Sequence, residues 1–307
     1  MSLAKLPSIP LGASAASEMN LSDRDFQAIA TMVHTEFGLH LQASKKALVF
    51  SRLARRVRDL GLPGFGDYVA HVSSKDGEAE KNNMLSALTT NVTQFFREGH
   101  HFDQLRNEVL PPLIKRARSG TRVRIWSAAC SAGQEPYSIA ATLLGLCPDA
   151  ARLDIKILAT DIDPVIIAKA REGRYPMEEL SAIPPPLRDI ATRKVPGSDK
   201  EFHIAPELKQ LITFNIVNLV GDWPMKGAFD VILCRNVAIY FDKETQARLW
   251  RRFTTQLNPG GYLMIGHSER LPDAEARAFS SVGITAYQKH VSTPATALDR
   301  NVKEDRK

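Results

Sequence analysis

Gly133 and Asp161 are residues whose types and spacing suggest chemistry. Gly133 follows the apolar stretch Val123-Arg-Ile-Trp126 and stands just before a helical pattern. A glycine there either lets the backbone approach a ligand closely or makes a tight connection. Asp161 closes the next apolar stretch, Ile155-Lys-Ile-Leu-Ala-Thr160, 28 residues after Gly133. In a nucleotide-binding sheet an acid at that point accepts hydrogen bonds from both ribose hydroxyls. A helix-capping aspartate is the plain alternative, and Asp163 competes for the ribose role. The loop lacks the full glycine pattern of a pyrophosphate cradle, so the combination suits a cofactor with a ribose but no phosphate.

Other chemistries find less support. No Ser-His-Asp or paired-carboxylate signature is present. Cys130, Cys147 and Cys234 are too few and too separated for a disulfide framework or a Cys-x-x-Cys metal site, and reduced thiols are expected. His100 and His101 are adjacent, so on a helix they point about 100° apart and no shared metal ion is expected. The formal net charge of +6 favours an anionic partner without choosing among nucleic acid, membrane and acidic protein.

These residues need elements to position them. The 307 residues, 44% hydrophobic and 24% charged, allow one large core plus a smaller domain of an ordinary soluble protein. With no apolar run approaching the roughly 20 residues of a membrane span, and no signal-like start, a cytoplasmic location is expected. Residues 1–20 read as a flexible lead. Ser22 and Asp25 have capping-box spacing ahead of a helix through Phe26, Ile29, Ala30, Val33 and Phe37, with Gly38 as its stop. A second helix spans about Ser44 to Leu60, with Val49, Phe50, Leu53, Val57 and Leu60 on one face. Lys45, Arg52, Arg55, Arg56 and Arg58 lie outside that face, leaving a cationic surface for a partner. After breaks at Gly61, Pro63, Gly64 and Gly66, short helical patterns return around Tyr68 and at Met84, Leu85 and Leu88. A helical domain over 21–90 and a larger domain over 91–291 follow.

The larger part alternates strands and helices. Strands are expected at 123–126, 155–160, 212–214, 229–233 and 262–265, with helices after Gly133, over 164–172 and near 243–257. That alternation predicts an α/β sheet covered on both faces, with ligands beyond the carboxyl ends of its strands, where Gly133, Asp161 and Asn236 fall. Residues 173–211 interrupt it: Pro184-Pro-Pro186 argues against a continuous helix and Gly197-Ser-Asp-Lys200 suits a turn between strands, so an inserted β-subdomain is expected. Residues 292–307 read as a polar tail.

Five motifs in order, Asn91-x-Thr-x-Phe-Phe-Arg-Glu98, Cys130-Ser-Ala-Gly-Gln-Glu-Pro-Tyr-Ser138, Ala159-Thr-Asp-Ile-Asp163, Cys234-Arg-Asn-Val-Ala-Ile-Tyr-Phe241 and Gly266-His-Ser-Glu269, resemble the chemotaxis receptor protein-glutamate O-methyltransferase (CheR) family over roughly residues 22–291. The resemblance implies an all-helical N-terminal domain, a class I S-adenosylmethionine-dependent (Rossmann-like) α/β domain and a small inserted β-subdomain. It further implies cofactor contacts at Asn91, Thr93, Arg97, Glu135, Asp161, Asn218, Leu219, Arg235 and Asn236. Asp161 would hold the ribose, Glu135 would meet the charged amino-acid portion, and Arg97 and Tyr240 would face the reacting centre. Gln134 and Ala238 depart from the commonest family wording, which touches local packing and affinity more than reaction class.

The implied reaction moves a methyl group from S-adenosylmethionine to receptor glutamates, giving methyl esters and S-adenosylhomocysteine for sensory adaptation. Its implied partners are the helical methylation region of the receptors, docked on Lys45, Arg52, Arg55, Arg56 and Arg58, and a receptor tail added to the β-subdomain as a strand. Recruitment to membrane receptor arrays would follow. A nucleic-acid methyltransferase is the nearest alternative, although zinc-finger spacing and RNP-like aromatics are missing from the sequence. A non-enzymatic array adaptor on the same fold is the other.

Overall fold

The computed structural model describes residues 19–291, so residues 1–18 of the expected lead and the expected tail over 292–307 lie outside the described residues. Two compact units divide the chain: one takes the described residues through Ile29 together with Gln42–Leu88, the other Ala30–Leu41 and the described residues from Thr89 onward. The linear reading had kept 30–41 with the helical domain.

In the smaller unit, the capping box forms at the start of α1 (Asp23–Phe37): the Ser22 hydroxyl accepts from the Asp25 N–H at 3.1 Å and donates to its carboxylate at 2.6 Å. α1 changes unit at Ile29/Ala30. Then come α2 (Lys46–Asp59), α3 (Phe65–Val72) and α4 (Glu78–Leu88). Val49, Leu53, Ala54 and Val57 form the buried stripe of α2 at helical spacing. Leu60, expected on that face, is 40% exposed because the helix ends one residue before it.

The larger unit opens with α5 (Gly99–Gln104) and α6 (Leu110–Arg118). Next are β1 (Val123–Ala128), α7 (Gln134–Leu146), β2 (Ile155–Asp161), α8 (Pro164–Glu172), β3 (Arg174–Pro176), α9 (Pro185–Ala191), β4 (Thr192–Val195), β5 (Ser198–Ile204) and α10 (Pro206–Lys209). β6 (Ile212–Ile216), β7 (Phe229–Cys234), α11 (Lys243–Gln256), β8 (Leu257–Ile265), α12 (Asp273–Ala276), β9 (Phe279–Gly283) and β10 (Ala286–Lys289) complete it. The main sheet has the order β6-β2-β1-β7-β8-β10-β9, parallel through β8 and antiparallel beyond it. A second, antiparallel sheet, β3-β5-β4, is the insertion that the sequence anticipated.

Alternation along the strands builds two cores, one on each face. Ile125, Val231, Leu233 and Met264 share a cluster with Ile139, Ala140 and Leu143 of α7. Their neighbours Trp126, Ile232, Leu263 and Ile265 join Leu249, Trp250 and Phe253 of α11 in the other. Pro185 and Pro186 sit in the first turn of α9, where a missing N–H costs no helical bond, so the proline run starts a helix. β9 and β10 were not anticipated, since their residues are mostly polar or small and only one in each is fully buried. No helix among the described residues is long and apolar enough to cross a membrane.

Candidate active site

The parallel strands deliver their loops to one end of the sheet, and those loops are conformationally unusual. Among the described residues six non-glycines have left-handed φ; Phe96, Glu98, Ala129, Ser131 and Asn236 are five of them, on the segments that meet at the strand ends. Such conformations cost about 1–3 kcal/mol each and persist where surrounding bonds fix them. Gly133 has φ +98°, and a Cβ there would lie 3.0 Å from both Ala170 Cβ and the Tyr175 hydroxyl. Turn geometry and packing on α8 therefore account for this glycine, the tight-connection reading.

Asp161 and Asp163, rivals in the sequence, have separate roles. Asp163 caps α8, accepting from the Val165 and Ile166 N–H groups, and its other oxygen accepts from Asn91 Nδ2 at 3.0 Å. Asp161 accepts the Ser131 N–H at 2.8 Å on one oxygen and the Asp163 N–H at 3.1 Å on the other. Burial raises its pKa, opposed by those backbone donors. The Ile162 N–H also acts on this carboxylate, and with about four acceptor sites in all a carboxylate so placed keeps capacity for a further donor. The Ser131 hydroxyl donates to the Asn91 carbonyl at 3.0 Å, and the Val217 N–H to the Asp161 carbonyl at 3.0 Å, joining three loops at this acid.

Arg235 ties a second group together. Its guanidinium meets Glu135 at 3.0 Å and Glu98 at 3.3 Å, and donates to the Arg97 carbonyl. The Ser127 hydroxyl takes the other Glu135 oxygen at 2.6 Å, so both oxygens of the expected amino-acid contact already have protein partners. Burial raises the Glu135 pKa, opposed chiefly by Arg235. In Glu98 burial is outweighed by His267 hydrogen bonds and the Arg235 charge, which hold its pKa at about 2. His100 and His101 do not diverge as expected: their ring centroids are 4.3 Å apart, both beside Glu98. They occupy the first turn of α5, whose N-cap Glu98 is left-handed.

Thr90, Val92, Thr93, Gln94, Arg97, Asn236, Ile239 and Tyr240 line a cleft of about 370 Å³. Four residues singled out in the sequence, Thr93, Arg97, Asn236 and Tyr240, thus share one concavity. Arg97 donates to the Val92 carbonyl at 3.1 Å and makes no ion pair among the described residues. Asn218 and Leu219 do not line this cleft: Asn218 donates to the Glu36 carbonyl at 2.7 Å, and Leu219 is 6% exposed within the second core. Two further bonds hold the Ala30–Leu41 stretch to the larger unit, from the His40 N–H to the Tyr240 carbonyl at 2.8 Å and between His34 and Asp242 at 2.7 Å.

Glu269, in the last of the five motifs, has a structural role that its sequence position does not reveal. It is buried and accepts four backbone N–H groups, from Gly266 at 2.6 Å, Asn236 at 3.1 Å, Val237 at 3.0 Å and Ala238 at 2.8 Å. One carboxylate thereby fixes the turn that carries Asn236 and leads to Tyr240. An acid in the loop between β8 and α12 carries no periodic signal of this.

Within the smaller unit the cationic set is divided. Arg56 turns to Glu80 in a two-pronged pair at 2.5 and 2.6 Å, and the Tyr68 hydroxyl donates to the same carboxylate at 2.9 Å. Arg52 donates to the Leu88 carbonyl at 2.6 Å. Lys45, Arg55 and Arg58 are exposed, with Arg55 3.5 Å from Asp59 one turn on. The expected face is corrected accordingly: Arg56 bridges helices, because a planar guanidinium matches a carboxylate pronged on both oxygens.

The family model described as "CheR methyltransferase, SAM binding domain" matches residues 91–288, and "CheR methyltransferase, all-alpha domain" matches 24–89. A "Probable chemotaxis protein methyltransferase" of Rhizobium etli is 52% identical over 259 residues, 84% of this chain and 96% of its own. "Chemotaxis protein methyltransferase 2" of Pseudomonas aeruginosa is 41% identical over 273 residues, 88% of this chain and 94% of its own. The Escherichia coli "Chemotaxis protein methyltransferase" is 40% identical over 272 residues, covering 87% and 91%.

Proposed function

The chain belongs to the CheR methyltransferase family, and on that footing we propose that it esterifies glutamate side chains of chemotaxis receptors, with Asp161 on the cofactor and Arg97 and Tyr240 at the reacting carboxylate. It is an S-adenosylmethionine-dependent methyltransferase, and chemotaxis receptors are its substrates. The family matches give no support to a nucleic-acid methyltransferase or a non-enzymatic adaptor.

Bound S-adenosylmethionine supplies an electrophilic methyl on a sulfonium. A glutamate side chain has a pKa near 4.3 and is already a carboxylate at neutral pH, so no general base is required. The protein's work is alignment, which carries a large share of such a rate. Asp161 holds the ribose through its remaining acceptor capacity. Asn91, Thr93, Glu135, Arg235 and Asn236 shape the rest of the cofactor site, with Asn218 and Leu219 contributing through the loop after β6. Arg97 orients the substrate or cofactor carboxylate and Tyr240 shapes the reacting cleft. Too tight a clamp by Arg97 would stabilise the starting carboxylate and oppose reaction. The observation that supports this reading most directly is a guanidinium in the cleft that makes no ion pair among the described residues, beside Asn236 and Tyr240.

Lys45, Arg55 and Arg58, with Arg52 at the margin, form the docking face for an acidic helical receptor region. A receptor tail adds as a strand at an edge of the β3-β5-β4 sheet, where β4 is an edge strand among the described residues. Docking of this kind would recruit the enzyme to membrane receptor arrays. Incubation with radiolabelled S-adenosylmethionine and a receptor cytoplasmic fragment should place label on glutamates that mild alkali releases. Alkali-stable label, or none, would overturn the reading.

A further inference from the structure

Beside the cleft lie three shielded polar atoms, Glu98 Oε2, His100 Nε2 and His101 Nδ1. Among the described residues neither histidine nitrogen has a hydrogen-bond partner, and the Glu98 oxygen has only the Arg235 guanidinium, 3.3 Å away. A ligand atom from each of these three residues lies within 4.8 Å of the other two.

The protons on His101 can be assigned. Its Nε2 lies 3.0 Å from the Ile284 carbonyl, which can only accept, so Nε2 carries the hydrogen. The ring is fully buried. With the hydrogen on Nε2, the neutral ring presents Nδ1 as a lone pair. That lone pair faces Glu98 Oε2 at 3.7 Å. The other Glu98 oxygen has His267 Nδ1 at 3.0 Å. Among the described residues the one donor near Glu98 Oε2 is the Arg235 guanidinium at 3.3 Å, and none meets His101 Nδ1; a bare acceptor is costly in a dry setting. Arg235 is shared between Glu98 and Glu135, so the cluster holds two carboxyl groups to one guanidinium.

We propose that Glu98, His100 and His101 form a three-ligand site for a divalent transition-metal ion of the zinc type. Two imidazole nitrogens and one carboxylate oxygen are a donor set that such ions take, with the remaining position open. The Ile284 carbonyl on the far nitrogen of His101 is the outer partner that orients a ligating imidazole. Bonds of about 2.0–2.2 Å require the three side chains to draw closer, and His100, half-buried at the start of α5, is the one placed to move. Arg235, 3.3 Å from the Glu98 oxygen, opposes a second cation, so affinity is moderate.

The test uses the full chain stripped with a chelator, titrated calorimetrically with Zn²⁺ and, separately, with Co²⁺ followed by visible absorption. One Zn²⁺ per chain and the visible bands of a low-coordinate Co²⁺ centre are expected. His100→Ala should weaken both by at least about tenfold, the scale of losing even an outer partner, while His71→Ala in the smaller unit should not. If His100→Ala fails to fold, His100→Gln takes its place, and the Co²⁺ spectrum of the wild-type chain decides independently of any variant. Absence of both Zn²⁺ uptake and Co²⁺ bands in the wild type would overturn the proposal, as would equal affinity in the wild type and the folded His100 variant.

Discussion

Arg97 brings to the cleft a guanidinium whose hydrogen bond goes to a backbone carbonyl, leaving donors to orient a carboxylate. Lysine keeps the charge but loses the planar fork, and misplacement by about 1 Å costs on the order of 100-fold. Arg97→Lys should therefore lower kcat by about 10- to 100-fold, read from initial rates beside equilibrium cofactor binding. Turnover at the wild-type level with normal cofactor affinity would remove the assignment. Asp161 invites a different substitution. Both its oxygens accept backbone N–H groups, so Asp161→Asn must aim an amide N–H₂ at one of them. Leaving a buried donor unmatched costs about 1–3 kcal/mol. Calorimetry with S-adenosylhomocysteine should show affinity reduced by about tenfold or more; unchanged affinity would deny Asp161 its place in the site. Asp161 and Arg97 were legible in the sequence because a strand end and a motif marked them. Glu269 was not, since its role is to receive four N–H groups from residues up to 33 positions away.

At the scale of elements, α2 is amphipathic as its spacing indicated, with Lys45, Arg52, Arg55, Arg56 and Arg58 outside the apolar face, but the structure engages Arg56 with a neighbouring helix. Helical spacing gives the angle of a side chain about its axis, not whether a neighbouring helix offers a carboxylate, and Glu80 of α4 does so for Arg56. Two outcomes separate the arginines. Reversing Arg55 and Arg58 to glutamate should slow receptor methylation at low salt, leave cofactor affinity intact, and lose its effect as salt screens the attraction. Arg56→Ala should instead destabilise the fold by about 1–3 kcal/mol, kept modest by the partial exposure of the guanidinium, measurable by denaturant unfolding. Methylation insensitive to the double reversal would move the dock elsewhere. The parallel strands were legible because burial on both faces leaves unbroken apolar runs. β9 and β10 carry too few buried residues to show a pattern. The start of β8 hid behind Asn258-Pro-Gly-Gly261, which reads as a turn.

For the molecule as a whole, acid should act in two windows. His101 is held at about 4 against an ordinary 6.5, so the unfolded chain takes up that proton first. Its contribution is complete above 6.5 and is lost as pH falls towards 4. Glu98, lowered from 4.5 to about 2, contributes fully above 4.5 and loses this as pH falls through 2. In metal-free buffer Tm should drop as the pH falls through the upper window, and His101→Asn should flatten that slope; parallel Tm curves for variant and wild type would exclude His101 as its source. The discontinuous make-up of the larger unit has another consequence. Ala30–Leu41 is held there by His34, Glu36 and His40, although some fifty residues of the smaller unit intervene before Thr89. A protease nick between residues 42 and 88 should therefore give two fragments that stay together on a gel-filtration column, a natural split protein. A chain begun at residue 90 would lack its own missing piece, and a peptide spanning 30–41 should help restore it.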